Sequence, residues 1–358
     1  MKEKNNFLSM YIVNTSHFSN KKKILLLFFF IFLASCKEVF CSNDDDFLLR
    51  NNNLNKINIE VKRNCRSAIV IDAINGEILF SHNADRKIFP ASLTKMMTAY
   101  IVFDAINNGV IGINDKSEYS KILKIKEYNN ITIKDLIYNM IVNSSNVVTD
   151  ILAKEVSFGN VKEFIKKMNN VAKKIGMKNT NFSNTNGLHD ENHYSTARDI
   201  AKLSIRLVYD FPQYIDFFET TNYIDNNNNY NTKTTRIQDN AIDIGGSKTG
   251  YVNASGYNLV AWKRKNNNSD KKNHIFVVLT GANDTEKRDE LVIKLINFYS
   301  DTNNSFIKRT INTTQQEEMT KKIFNFIGID YNKYKTPIPV KRQKNITHNI
   351  HIYNNFKS

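Results

Sequence analysis

The sequence predicts an α+β fold, with one antiparallel sheet completed by both ends of the globular region and helices packed on it. Three observations carry this expectation. Residues 67–80 read as strand, tight turn, strand; residues 92–209 are dominated by apolar positions at helical spacing; two further strands follow at 256–262 and 274–279. The 358 residues admit one large domain or two ordinary ones. Hydrophobic residues at 41% and charged residues at 24% are ordinary for a globular chain and exclude disorder throughout, while 4 Pro and 12 Gly exclude collagen-like and proline-rich classes.

Lys21, Lys22 and Lys23 precede the apolar run Ile24–Leu33, and the small residues Ala34, Ser35 and Cys36 follow it. A basic start, about 10 apolar residues and a small-residue site read as a secretory signal, because a membrane-spanning helix needs about 20. An uncleaved membrane anchor is the alternative, and Leu33-Ala34-Ser35-Cys36 also resembles a lipobox whose cysteine becomes acylated. Each outcome exports the protein, to the periplasm or the outer face of the cytoplasmic membrane. With residues 1–41 assigned to this leader, Cys65 is the one cysteine of the body. It cannot form an internal disulfide or a cysteine metal cluster, and is expected to pack as a small apolar residue.

Residues 42–64, with Asp44-Asp45-Asp46 and Asn51-Asn52-Asn53, read as a polar linker, and residues 65–300 as the folded body. Within the body, Ala68–Ala73, the pair Asn75-Gly76 and Glu77–Phe80 carry a hairpin signal. Pro90 opens a helix running from Ser92 to about Asn107. Ile131–Val156 is helical in period but interrupted near Asn143-Ser144-Ser145-Asn146; Phe164–Ile175 and Thr196–Tyr209 are further helices. Asn226–Asn229 reads as a loop and Asn266–Asn273 as the tip between the last two strands, Gly256–Trp262 and His274–Leu279. Leu291–Tyr299 closes as a helix, and residues 301–358 form a basic, Asn-rich tail without a clear domain, with one short helical stretch around Lys321–Ile327.

Three short segments offer chemistry. In Pro90-Ala91-Ser92-Leu93-Thr94-Lys95, a helix opening at Ser92 brings Lys95 one turn on, so hydroxyl and amine share a cleft. A serine needs a base close by, and a desolvated lysine crowded by another cation loses its proton more easily. The helix start also offers unpaired N–H groups to a reacting carbonyl. Ser144-Ser145-Asn146 places a hydroxyl and a carboxamide two residues apart at a helix break, suited to relaying a proton and holding a substrate amide. Lys248-Thr249-Gly250, directly before a predicted strand, suits a substrate that lies along a strand edge and ends in a carboxylate. Each is weak alone.

Taken together and in this order, Ser-x-x-Lys, Ser-x-Asn and Lys-Thr-Gly resemble the signature of penicillin-binding proteins and class A β-lactamases. The neighbouring Met96-Met97-Thr98, Met140–Asn143, Asn186-Gly187-Leu188, His193–Asp199 and Gly246–Tyr251 sharpen this to the low-molecular-mass D-alanyl-D-alanine carboxypeptidases, the S11 serine peptidases, over roughly Cys65–Ser300. The resemblance implies the β-lactamase/penicillin-binding-protein transpeptidase-like fold: an antiparallel sheet with helices on both faces plus an all-helical subdomain. It implies that Ser92 attacks the bond between the two terminal D-alanines of a peptidoglycan stem peptide and that Lys95 takes its proton. Ser144 would pass a proton to the leaving amine, and Asn146 would hold the substrate amide and orient Lys95. Lys248 would supply positive potential, Thr249 would hydrogen-bond the terminal carboxylate, and the amides of Ser92 and Tyr251 would form the oxyanion hole beside Gly250. Gly281–Arg288 resembles the family segment whose arginine also holds that carboxylate, which nominates Arg288.

Peptidoglycan pentapeptide is thus the expected partner, with β-lactam antibiotics as covalent inhibitors and membrane contact through the leader or a lipidated Cys36. Two departures stand out: the middle residue of the second motif, often Gly in the family, is Ser145, and the β-rich C-terminal domain and amphipathic helix of many relatives are not evident after Asp301. The alternatives are a β-lactamase on the same fold, disfavoured because no Glu-x-x-Leu-Asn segment follows Ser144, and a non-catalytic cell-wall binding or sensor module, disfavoured by the intact motifs. His189 and His193, with Asp190 and Glu191 between them, superficially match a metal pair, but their segment resembles a family loop that binds none; no metal or cofactor is expected. The net charge of +15 suits an anionic envelope or lipid surface. Nucleic acid is not an expected partner, given export and the absence of a binding motif.

Overall fold

The computed structural model describes residues 52–301, apart from 74–75, 125–127, 129, 226–229, 234, 236, 238–243 and 265–273. The leader, the tail, the Asn226–Asn229 loop and the Asn266–Asn273 tip therefore lie outside the described residues. The chain divides into two units, 1–58 and 59–358; of the first, only 52–58 are described, and they are helical. The second opens with helical residues 59–64 (α1). The linker expected over 42–64 is thus helical from residue 52 onward. Leu54, Ile57 and Val61 recur at spacings of three and four, an apolar stripe that the Asn-rich composition hides.

The β-branched run Ser67–Asp72 (β1) pairs antiparallel with Glu77–His82 (β2), and Gly76 between them has φ +69°, the left-handed backbone that a tight turn requires. β1 also pairs with His274–Ala282 (β7), which pairs with Gly256–Arg264 (β6), and β6 with Ile244–Val252 (β5). The order β2-β1-β7-β6-β5 joins both ends of the body in one antiparallel sheet and leaves β5 at an edge. Nine consecutive residues of β7 are buried, which requires cover on both faces. A second, two-stranded ribbon, Asn222–Ile224 (β3) with Tyr230–Thr232 (β4), flanks the Asn-rich loop.

One face of the sheet carries Thr285–Asp301 (α9), packed on β6 and β7 with Leu291, Val292, Leu295 and Ile296 buried. On the other, Val260, Trp262, Phe276 and Val278 join a continuous core with the helices. Ala197–Asp210 (α7), capped by Thr196, packs on β1 and β7. The helical subdomain gathers around Lys95–Asn107 (α2) and Asn146–Ser157 (α5), with Glu118–Ile122 (α3), Ile133–Tyr138 (α4) and Val161–Lys174 (α6) against them. The short Asp216–Glu219 (α8) leans on β5. In α2, Met96, Met97, Ala99, Ile101, Val102, Phe103 and Ala105 are buried on nearly all sides, as expected of a central helix. This arrangement is the expected α+β fold with helices on both faces and a helical subdomain. Cys65 is buried, and burial pushes its thiol up to about 12.

Candidate active site

Four separate segments, β5 among them, meet at one site. The first is a 3-10 turn, Ala91–Thr94, running from Pro90 directly into α2. Ala91 has φ +51°, unusual for a residue with a Cβ, and this turn presents Ser92, half-buried, at the base of α2. Lys95 is fully buried one turn on. Its Nζ lies 2.8 Å from Ser92 Oγ, 2.7 Å from Asn146 Oδ1 and 2.8 Å from the carbonyl oxygen of Asn186. Burial lowers its pKa to about 7, with the carboxylate of Asp150 opposing the shift. A neutral amine has two N–H donors and one lone pair. Two of its three neighbours can only accept, so the lone pair is left for the hydroxyl of Ser92.

The second segment follows α4. The helix widens into a π turn, Asn139–Asn143, and ends at Ser144, which takes the left-handed conformation with φ +58°. Ser145 then caps α5, its Oγ accepting from Val148 N at 3.4 Å, so the departure from Gly at this position gives the helix an N-cap. Asn146 opens α5 with its side chain at the site. Tyr223 of β3 stacks on Tyr138 with ring centroids 4.0 Å apart and donates to Asp135, tying the small ribbon to this segment.

The third segment is β5 itself. Lys248-Thr249-Gly250 lies inside the edge strand and not before a strand as the sequence suggests; two glycines at 245 and 246 masked the strand pattern. Lys248 is buried, with its Nζ donating to Ser144 Oγ at 2.9 Å and to the Thr249 carbonyl at 3.0 Å. Burial holds its pKa well below the usual lysine range, and the nearby cations Lys95, Lys233 and Arg288 push the same way. A Cβ on Gly250 would lie 3.0 Å from Pro90 O and 3.1 Å from the amide nitrogens of Ser92 and Leu93. A bare Cα is what lets β5 close on the Ser92 turn, one residue before Tyr251. The Tyr251 side chain is half exposed, at 50%.

The predicted residues therefore converge: Ser92, Lys95 and Asn146 on one side, Ser144 and Lys248 on the other. Arg288 is buried in α9 at 2% exposure, close enough to act on Lys248, and its Nε donates to Asp289 Oδ1 at 2.7 Å. Lys95, Lys248 and Arg288 are buried and Lys233, partly buried, is close enough to act on Lys248, a gathering of basic side chains that favours an anionic ligand.

The fourth segment, 185–188, and its support His193 carried the resemblance in the sequence, but sequence reasoning gave them no role at the site. The Asn186 carbonyl fixes Lys95, while Asn186 Nδ2 donates to Asp150 at 3.2 Å. Gly187 has φ +89°, and a Cβ there would lie 1.8 Å from the carbonyl oxygen of Ala91. Behind it, His193 Nδ1 accepts from Ser183 N at 3.1 Å, so Nε2 carries the proton and donates to Thr94 Oγ1 at 2.8 Å. Burial lowers its pKa to about 4, keeping the ring neutral, against a smaller opposing effect of Asp190. Lys233, whose ammonium donates to the Phe218 carbonyl, is lowered to about 7 by burial, opposed by Glu219. The Asn-Gly dipeptide was the available signal for the first of these; backbone acceptors and remote cations leave none.

Residues 55–283, more than half of the chain, match the peptidase S11 family, described as D-alanyl-D-alanine carboxypeptidase. The sequence is 34% identical over 213 residues to the D-alanyl-D-alanine carboxypeptidase DacA of Haemophilus influenzae, covering 56% of this chain and 53% of that protein, so the chain spans about half the length of that relative. Among solved structures, penicillin-binding protein 5 of H. influenzae superposes with a TM-score of 0.59 at 29% identity, covering 66% of this chain and 70% of that one. The ampicillin-bound form of penicillin-binding protein D2 from Listeria monocytogenes gives a TM-score of 0.58 at 25% identity, covering 65% of this chain and 96% of that one. Matching motifs, sheet order and site geometry agree with these similarities: the chain belongs to peptidase family S11, the D-alanyl-D-alanine carboxypeptidase family.

Proposed function

We propose that this protein is an exported serine-type D-alanyl-D-alanine carboxypeptidase that trims the terminal D-alanine from peptidoglycan stem peptides. The carrying observation is the Lys95 amine, desolvated and held by two acceptors with its lone pair toward Ser92 Oγ at 2.8 Å. Ser92 Oγ attacks the carbonyl carbon of the penultimate D-alanine as its proton passes to Lys95. The oxyanion is held by the amides of Ser92 and Tyr251. As the C–N bond breaks, Ser144, held by Lys248, passes its proton to the leaving amine of D-alanine and takes in its place the proton that Lys95 holds, so Lys95 is neutral again. Water then attacks the carbonyl of the Ser92 ester and gives a proton to Lys95; as the ester C–O bond breaks, Lys95 returns that proton to Ser92 Oγ, which frees the shortened peptide and restores the enzyme.

The terminal carboxylate lies at Thr249, with Lys248 and Arg288 behind it. Its negative charge opposes the crowding by like charges that depresses the pKa of Lys248. β-Lactams, which carry an equivalent carboxylate and a reactive carbonyl, acylate the same serine; ampicillin bound to the Listeria protein supports this reading. Export rests on the leader expected at 1–41, and mass spectrometry of the mature N-terminus tests it.

The activity is tested by release of D-alanine from a D-Ala-D-Ala peptide and by covalent labelling with a fluorescent penicillin, both of which Ser92→Ala must abolish. Rapid turnover of a chromogenic cephalosporin without D-alanine release would overturn the assignment in favour of a β-lactamase.

A further inference from the structure

Past Tyr251, at the end of β5, the sheet's terminal turns border a cavity of about 400 Å³ that opens to solvent. Its lining includes Arg63, Arg66, Tyr251, Asn253, Tyr257 and Asn283, and contains no carboxylate. The walls are built rather than incidental. Tyr251 and Tyr257 are cross-strand partners, their rings in contact with centroids 4.4 Å apart and planes tilted by 31°, and Tyr251 Oη donates to Asn253 Oδ1 at 2.6 Å. Arg66, just before β1, donates to the carbonyl of Ala254 in the β5–β6 turn. Its stem fills the space that Gly281 leaves, where a Cβ would lie 2.5 Å from Arg66 Cγ. Arg63, at the end of α1, is exposed beside it. Two guanidiniums, one of them pinned, thus face a cavity with polar donors and an aromatic platform. That combination selects a carboxylate carried on a short organic stem.

The cavity's place relative to the reacting centre identifies what carries the carboxylate. With the substrate's terminal carboxylate at Thr249 and its reacting carbonyl at the Tyr251 amide, the direction from Thr249 to Tyr251 runs upstream along the substrate. An extended peptide advances about 3.3 Å per residue and points alternate side chains to opposite sides. The residues next upstream pass Tyr251, and every second side chain points to the side where the Tyr251 ring lines the cavity. We infer that this cavity is a specificity subsite that takes a carboxylate-bearing side chain upstream of the D-alanyl-D-alanine terminus, with Arg63 and Arg66 as its cations. The inference rests on the peptidase reading for the direction of the substrate.

The full chain carrying Ser92→Ala binds without turning over, so affinity is read directly. Three peptides ending in D-Ala-D-Ala, with Glu, Gln or Lys at successive upstream positions, are compared by fluorescence anisotropy. At one position the order of affinity is Glu, then Gln, then Lys, and the difference narrows at high salt. R63Q and R66Q each weaken the Glu peptide by about 2- to 5-fold and leave the Gln peptide unchanged. Equal affinity for Glu and Gln at every position overturns the inference, as does a preference that survives the double variant or a failure of all three peptides to bind. The comparison among peptides needs no arginine variant, so misfolding of R66Q cannot rescue the proposal. D-Alanine release from the Gln peptide by the unsubstituted protein is scored separately: its absence defeats the peptidase reading, whatever the affinities show.

Discussion

Gly187→Ala probes how tightly the Ser92 turn is held. The added Cβ would lie 1.8 Å from the Ala91 carbonyl oxygen and 2.9 Å from Thr94 Oγ1. Relieving the first contact to a tolerable 3.0 Å requires the 185–188 loop and the 90–92 turn to separate by about 1.2 Å. Both partners in that collision are backbone, so no side-chain rotation relieves it. One side carries the Asn186 carbonyl that fixes Lys95, and the other carries Ser92 itself. Displacement of about 1 Å between reacting groups costs on the order of 100-fold in rate. The φ of +89° adds strain of about 1–2 kcal/mol for an alanine. The second-order rate of acylation by a fluorescent penicillin is therefore expected to fall about 100-fold, with a modest drop in melting temperature. Gly76→Ala is the control: its φ is also positive at +69°, but its Cβ would meet nothing within 4 Å, so it costs stability and leaves acylation intact. A folded Gly187→Ala protein acylating within about threefold of the unsubstituted rate would refute the claim that this contact sets the Ser92–Lys95 geometry.

Other outcomes follow from individual groups. Acylation should rise with pH through a midpoint of about 7 as Lys95 loses its proton, and Asp150→Asn should move that midpoint to lower pH, because the carboxylate raises the lysine's pKa; stopped-flow pH profiles read both. His193 is lowered from 6.5 to about 4 in the fold, so it contributes stability above pH 6.5 that is lost as pH falls through about 4. The full effect is about 3 kcal/mol, and denaturant melts at pH 7 and pH 4 should show a smaller difference for His193→Gln than for the parent. Ser145→Gly should cost only a few tenths of a kcal/mol through the weakened cap of α5 and leave penicillin labelling unchanged, as melts and labelling would show. A large loss of labelling would mean that Ser145 touches the reacting groups.

Much of this arrangement was legible in residue order because local patterns and tertiary placement agree. The helix period of 96–105, the capping residue Thr196 and the β-branched run at 67–72 each point to the element observed. Ser92 and Lys95 were readable because three positions on a helical turn fix their separation whatever surrounds them. β5 was not readable: Gly245, Gly246 and Gly250 replace the β-branched residues that mark a strand, and they are there because Trp262 and the Ser92 turn occupy the space a Cβ would need. Helical residues 52–64 hid behind their asparagines for the opposite reason, a polar surface around a thin apolar stripe. The Asn186 carbonyl and the Thr94–His193 link come from segments distant in sequence. A main-chain oxygen has no residue type to betray it.

The sheet order has a consequence for how the molecule comes into being. β1 and β2 are made first, yet β1's other edge waits for β7, the last strand of the body, and Ser92 waits for β5 to close against it. During synthesis Ser92 and Lys95 emerge early but have no wall opposite them until the C-terminal third arrives. A truncated chain ending before β5 would carry both residues without the strand that closes on the Ser92 turn, so the pocket around them is complete only once most of the polypeptide has been made.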